Sequence, residues 1–395
     1  MKMLFIHDNK FWLKEGVLYS YGHFSYELLW KRYLKYFDEI VVGGRVIDSE
    51  KVHDQDLSKF AISSGEHVRI IALPDLLTVK GLFRYKEAKN IIKREMTQVD
   101  FIVARLPSNL GYIACGLARK KGIPYAVEVV GCGWDSYWNH GSLSGKLFAL
   151  VQYFLERHYV RKAYNVLYVS RHFLQRRYPN SYFNIGCPDS NIQISEQEII
   201  DKRICKISNM SREKTIRIGL IASLNVGYKG HDTAILALEH VVKKHPNSRL
   251  CFLGDGKRDK WDKLARKHNV SDYIEFCGSL PGGDPVLHWL DDIDIFIMPS
   301  LQETLGRALI EAMSRGCPAI GGAGTAVPEQ LPDDCIHGKK DHKQLAEMIV
   351  YMIEHPEYMK LCAEENFIRA KKYSEKILEE RRDYFWRTAI GNVSK

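Results

Sequence analysis

Two glutamates eight positions apart, Glu303 and Glu311, stand on either side of a strand-to-helix junction. The run Ile293-Asp294-Ile295-Phe296-Ile297-Met298 predicts a buried parallel strand closed by Pro299, and Ala308-Leu309-Ile310-Glu311-Ala312-Met313 predicts a helix. Between them the amides of Thr304, Leu305 and Gly306 would point outward at a helix N-terminus, a setting that suits an anionic or hydroxyl-rich ligand. Each glutamate alone has a plainer explanation, Glu303 as a helix-start carboxylate and Glu311 as a solvated helix residue. The two in one frame point to a ligand.

Further residues belong with this junction. Ala222-Ser223-Leu224-Asn225-Val226-Gly227-Tyr228-Lys229-Gly230 follows a predicted strand, Arg217–Ile221, and precedes a helix starting at His231. A small residue, Ser223, at the strand's end and a Lys-Gly pair at the helix entrance suit a phosphate, because the backbone can approach and the ammonium offsets charge. Phe252-Leu253-Gly254-Asp255-Gly256 leaves room for a base or ribose at the next strand end. It is not Gly-x-Gly-x-x-Gly, which argues against a nicotinamide or flavin cofactor. Asp292-Ile293-Asp294 resembles a metal-binding Asp-x-Asp, but it sits at a strand's start, away from the expected ligand, and no metal is expected. Glu329, after a Gly-rich turn, reads as a helix cap.

The elements that position these residues alternate short apolar runs with longer helical stretches, which predicts an α/β chain with parallel sheets. Strands are expected at Met3–His7, Glu39–Val42, Val68–Ala72, Phe101–Ala104, Tyr125–Val130 and Val166–Val169, with helices between them. A second series begins at Arg217 and continues with Arg249–Leu253, Ile274–Cys277, Ile293–Met298 and Pro318–Gly321. The predicted division is a first domain at 1–190, a polar linker at 191–214, a second domain at 215–370 and a terminal helix at 371–395. In the predicted helix Leu143–Ala163, the residues Leu147, Leu150, Val151, Phe154 and Leu155 fall on one face, with Arg157, Arg161 and Lys162 beyond. The expectation is a helix packed on its sheet through that face, with a basic end. A helix lying on a membrane surface is the alternative.

A length of 395 residues implies two domains, and no apolar run reaches the length of a membrane span. Met1 to Asp8 reads as a first strand rather than a signal peptide. Nine cysteines scattered singly, with no Cys-x-x-Cys, indicate a reducing, cytoplasmic setting without structural zinc. Residues 1–190 hold 27 Lys+Arg against 18 Asp+Glu, an excess of nine that accounts for the whole net charge of +9. The first half therefore expects an anionic partner, a phosphorylated lipid or a bilayer surface, or else simply has a basic soluble surface. No nucleic-acid module is visible.

Residues 216 to 331 resemble the donor domain of retaining glycosyltransferases of the GT-B fold, glycosyltransferase family four. The Glu-x7-Glu pattern matches Glu303 and Glu311, inside a Pro-Ser-x-x-Glu opening at Pro299 and a Glu-Ala-Met-x-x-Gly-x-Pro closing that ends at Pro318. The Lys-Gly and Gly-Asp-Gly pairs of the family match Lys229-Gly230 and Gly254–Gly256. The resemblance implies two Rossmann-like domains facing a deep cleft, with the last helix crossing back to the first domain. It implies Glu311 on the ribose, Lys229 on the diphosphate, and Glu303 with the Thr304, Leu305 and Gly306 amides on the transferred sugar. Ser223 and Gly254 complete the expected donor contacts, with Glu303 and Lys229 as the catalytic pair. The implied activity is transfer of a hexose from a UDP- or GDP-sugar, without metal or cofactor and with retention. The acceptor would be a lipid-linked or growing surface polysaccharide, met at the inner face of the cell membrane.

Two departures stand out. Ser223-Leu224-Asn225 replaces the Gly-Arg-Leu that usually precedes the Lys-Gly, so the donor arginine is missing. The stretch Glu128-Val129-Val130-Gly131 lacks the histidine that faces the donor sugar in the family. Trp134, Asp135 and His140, in a segment similar to a subgroup associated with bacterial surface polysaccharides, are the candidates to replace it or meet the acceptor. Each also has a plain reading as a loop or core residue. Gly22, in the loop expected after the first strand, is a further candidate. Rival readings are a glucan-elongating synthase, a GT-B epimerase, and an inactive carbohydrate-binding protein.

Overall fold

The computed structural model describes residues 1–48, 60–139, 143–189, 192, 197–210 and 214–392. The chain forms two compact units, Met1–Cys187 with Arg381–Lys395, and Pro188–Glu380.

The first unit is built on a sheet of β1 (Lys2–Lys14), β2 (Val17–Ser20), β3 (Glu39–Asp48), β4 (Ala61–Ile62), β5 (Val68–Ala72), β6 (Phe101–Leu106), β7 (Tyr125–Val129), β8 (Asn165–Tyr168) and β9 (Phe183–Gly186). Its parallel part runs β5-β3-β1-β6-β7-β8-β9. Met3 to Ile6 and Phe101 to Ala104 are fully buried, as expected of central parallel strands covered on both faces. The second sheet, in the order β12-β11-β10-β13-β14-β15, is parallel throughout. Its strands are β10 (Ile216–Ile221), β11 (Ser248–Leu253), β12 (Ile274–Phe276), β13 (Ile295–Met298), β14 (Ala319–Gly322) and β15 (Ile336–His337).

Three expectations need correction. The loop predicted after the first strand is a hairpin. Beyond a register shift between Ile6 and Lys10, β1 continues to Lys14 and pairs antiparallel with β2. Glu15 and Gly16 both have positive φ, the two-residue turn that suits the twist of a hairpin. The stretch 191–214, expected as a linker, contains the helix Gln197–Ser208. Ile200 and Ile207 of that helix enter the second core, and buried Arg203 donates to the carbonyls of Leu290 at 2.8 Å and Arg315 at 3.1 Å. Arg203, with Lys206 donating to Asp291 O at 2.9 Å, anchors the helix, while its other polar residues face outward.

The third correction concerns the helix Leu143–Lys162. The face expected to pack on the sheet is exposed at Leu147, Leu150, Val151 and Phe154, while Ala149, Gln152, Glu156 and Val160 are buried. The terminal helix, Glu375–Gly391, places Trp386 against Tyr33 at 5.4 Å and Phe37 at 6.0 Å, and stacks Phe385 on Phe183 at 5.7 Å within the first unit.

Candidate functional site

All six strands of the second sheet run the same way, so the loops after β10, β11, β13 and β14 emerge at one edge. β10 lies between β11 and β13, and the chain order reverses there, which is where open parallel sheets hold ligands. The Lys-Gly turn after β10 and the Pro-Ser turn after β13 are locked together at that point. Leu301 N donates to Tyr228 O at 2.8 Å, and Ser300 Oγ donates to Lys229 O at 3.3 Å. Gly230 has φ +82°, and a β-carbon there would stand 2.3 Å from Pro299 O, so no other residue fits between the turns.

This clasp brings the two predicted catalytic residues into contact. Lys229 Nζ lies 2.6 Å from Glu303 Oε1, with side chains 26% and 11% exposed. The loop after β14 fixes the backbone of Glu303. Its amide donates to Thr325 Oγ1 at 2.6 Å, its carbonyl accepts from the Thr325 hydroxyl, and Ala326 N donates to the same carbonyl at 3.0 Å. Buried Gln330 donates its Nε2 to Leu305 O. No carbonyl or side chain among the described residues accepts from the amides of Thr304, Leu305 or Gly306. Gly306 then opens the helix Arg307–Ser314, and Glu311 lies on it, half-buried. Burial raises the Glu311 carboxyl above its ordinary value, against the pull of the Arg307 charge.

The loops after β10 and β11 form the neighbouring floor. Leu224 N donates to Asp255 O at 2.9 Å, and Ser223 Oγ donates to the same carbonyl at 3.2 Å. At Gly254 a β-carbon would meet Ala222 O at 2.1 Å, so the two turns touch backbone to backbone. Leu224, in the place of the usual arginine, is core: its side chain is buried and its carbonyl accepts from Trp261 Nε1 at 2.9 Å. Lys260 was not anticipated. Its Nζ approaches Gly227, 3.8 Å from where a β-carbon would stand, and lies 4.4 Å from the centre of the Trp261 ring. A second cation therefore borders the loop after β10. Asp294 is bound at the opposite end of its strand, 2.8 Å from Lys206 Nζ and accepting the Arg217 amide at 2.8 Å.

The first-unit candidates are not gathered in this way. Gly22 is exposed with φ +75°. Trp134 stacks on Trp138 with ring centres 4.6 Å apart. Asp135 is turned inward, 3.0 Å from Arg177 Nη1. His140 lies outside the described residues. A polar group that sequence reasoning missed stands along β1, β6 and β7. Asp8 accepts the amides of Asn109 at 2.6 Å and Leu110 at 3.3 Å, Tyr33 donates to Glu128 at 2.5 Å, and Arg105 lies 3.7 Å from Glu128. The available signal was a charge inside or at the end of an apolar strand.

Arranged in this way, a cation held by a carboxylate, a row of open amides and a sheltered carboxylate can bind a diphosphate, a sugar and vicinal hydroxyls at one edge. Residues 206–369 match the family of glycosyl transferases group 1. Protein CapJ of Staphylococcus aureus is 31% identical over 376 residues, covering 94% of this chain and 90% of that protein. Among solved structures, sucrose-phosphate synthase from Thermosynechococcus elongatus superposes with a TM-score of 0.68 at 14% identity, covering 99% of this chain and all of that one. HepE of Anabaena in complex with UDP gives 0.67 at 15%, covering 98% of this chain and 100% of that chain. These likenesses show the two-unit GT-B fold.

Proposed function

This chain belongs to the group 1 glycosyl transferases, and from that premise we propose that it moves a hexose from UDP or GDP to a saccharide with retention, forming an α-glycosidic bond. The observation that carries the proposal is the Lys229–Glu303 pair, held between the turns after β10 and β13, with Glu311 on the helix that follows. In this reading the sugar C1–O bond to the diphosphate breaks, the acceptor hydroxyl oxygen bonds to C1 on the same face, and its proton leaves with the diphosphate. Negative charge grows on the leaving oxygens, and preorganised donors aimed at that charge are the main catalytic requirement. Lys229 supplies one such donor. Lys260 is assigned the part of the missing arginine. The reaction is proposed to need no metal and no cofactor beyond the co-substrate.

Glu311 is assigned the ribose hydroxyls, and Glu303 with the Thr304, Leu305 and Gly306 amides the transferred hexose. Ser223 and Gly254 line the nucleotide side. HepE, of the same fold, binds UDP, which supports a nucleoside diphosphate here. The proposed acceptor is a lipid-linked or growing polysaccharide precursor, met by a basic first unit in peripheral contact with the inner face of an anionic membrane. Trp134 and Gly22 are kept as acceptor-side candidates.

The test is a thermal-shift panel of nucleosides, nucleoside diphosphates and nucleotide sugars, followed by turnover of the donor that stabilises most. A ligand at 100 times its dissociation constant raises stability by about 2.7 kcal/mol. The expected result is a shift with UDP or GDP that their nucleosides do not give, then transfer whose product shows an α anomeric proton by NMR. No shift with any nucleotide would remove the donor assignment. Binding without hydrolysis or transfer would favour the inactive carbohydrate-binding reading.

A further inference from the structure

The helix Leu143–Lys162 has its polarity reversed. Its buried side carries Gln152, whose Nε2 donates to Asn109 Oδ1 at 3.0 Å, and Glu156, whose Oε2 accepts the Gly133 amide at 2.8 Å. Its outer side carries Leu147, Phe148, Leu150, Val151 and Phe154, each between 42% and 66% exposed. Positions 147, 150, 151 and 154 follow i, i+3, i+4, i+7, so they form one continuous stripe. Patches of this kind are rare on soluble monomers unless something covers them.

The same face changes character one turn later. His158, Arg161 and Lys162 continue the stripe, and a groove of about 820 Å³ opens beside them, lined also by Arg119, Tyr164 and Tyr182. The two tyrosines are exposed, with ring centres 4.9 Å apart. Glu156, buried on the other side, is the helix's one acid, so the outer face carries no negative charge.

We propose that this face docks on an anionic bilayer, the apolar stripe entering the boundary between headgroups and acyl chains and the basic groove receiving lipid phosphates. Leu147 to Phe154 rises about 10 Å along the helix, far short of a span but suited to lying in the interface. Tyrosine, apolar on its ring and polar at its tip, fits that boundary. The alternative of a second copy is disfavoured by charge: with the helices parallel a two-fold contact brings basic groove towards basic groove, and with them antiparallel it brings each groove towards the helix start that carries exposed Lys146. The inference rests on the membrane contact of the proposed function and gives that contact a surface.

The test is sedimentation of the full chain with vesicles of 40 mol% phosphatidylglycerol in phosphatidylcholine, against pure phosphatidylcholine. Wild type is expected to bind the anionic vesicles and to release as salt rises. The double variant Leu150→Glu/Phe154→Glu should bind at least tenfold more weakly, and Arg161→Gln/Lys162→Gln should bind more weakly with a flatter salt dependence. Emission from Phe154→Trp, above the wild-type background, should be quenched by brominated acyl chains. The UDP or GDP thermal shift of each variant reports that the chain is folded.

Variants that bind as wild type does would overturn this surface while leaving a membrane contact elsewhere. Wild type that stays in the supernatant with every vesicle would overturn both, and the donor reading would stand on its own nucleotide assays. A wild-type dimer that Leu150→Glu/Phe154→Glu converts to monomer would assign the face to a second copy and overturn the proposal.

Discussion

Replacing Glu303 by Gln separates two roles that the proposed mechanism gives to one carboxylate. Lys229 is held 2.6 Å from Glu303, and a diphosphate taking that ammonium competes with the carboxylate for its charge. Gln keeps the shape and removes the charge. A hydrogen bond to a charged group contributes roughly 1.5–3 kcal/mol net. The Lys229 side chain keeps 26% exposure, so solvent screening favours the low end of that range. A difference of about 1.4 kcal/mol is a factor of ten. Glu303→Gln is therefore expected to bind nucleoside diphosphate about tenfold more tightly while transfer collapses, because the charge proposed to hold the sugar is gone. Lys229→Ala should move the other way, weakening nucleoside diphosphate and leaving nucleoside unchanged. Calorimetry with UDP, GDP and their nucleosides reads the first effect, and turnover of labelled donor reads the second. Glu303→Gln binding diphosphate no more tightly than wild type would refute the competition argument, and wild-type turnover by that variant would remove Glu303 from the reaction.

Glu311→Ala should weaken nucleoside diphosphate by about 1.5–3 kcal/mol in calorimetry. Because burial raises the Glu311 carboxyl, wild-type affinity should begin to fall on acidification at a higher pH than an ordinary glutamate would give, and the variant should lack that step. Lys260→Ala should slow transfer and weaken diphosphate more than nucleoside, whereas unchanged kinetics would leave the missing arginine without a replacement. Turnover should persist in excess chelator; loss that manganese or magnesium restores would contradict the metal-free mechanism. Glu156, raised from 4.5 to about 8 by burial, holds its proton in the folded chain where the unfolded chain releases it. Its contribution is full below about 4.5 and is lost as pH rises through about 8, so the melting temperature of Glu156→Gln should gain on wild type across that window.

The second unit was the more legible half because the sheet edge that gathers its candidate residues is made by local sequence. A parallel strand buried on both faces reads as an unbroken apolar run, and the turn after it sits at the site by geometry alone. Glu303, Lys229, Gly254 and Glu311 each lie a few residues beyond such a run or on the helix that follows it. What could not be read was contact across distance. Thr325 and Gln330 hold the backbone of Glu303 and Leu305 from more than twenty positions away, and Lys260 reaches the loop after β10 from the helix Asp259–Lys267. Asp135 illustrates the opposite case. It was a candidate to replace the missing histidine or meet the acceptor, yet Arg177, forty-two positions later, holds it inside the fold.

The helix Leu143–Lys162 exposes the assumption behind periodicity itself. A hydrophobic stripe predicts the buried side only if water is what lies outside, and here the buried side carries Gln152, paired with Asn109, and Glu156, which accepts the Gly133 amide through Oε2 and leaves Oε1 without a partner among the described residues. The stripe was legible and its direction was not. The charge distribution bears on the same division of labour. Residues 191–395 carry no net charge, since the excess of nine lies wholly in 1–190. In the proposed reaction the second unit must release a nucleoside diphosphate after every turnover, so a few local cations serve it better than a broadly positive field that would retain the product. The first unit, on this reading, has to stay on an anionic surface through many turnovers. There an excess of basic residues, joined to an apolar stripe that salt does not screen, gives a contact stronger than either feature alone.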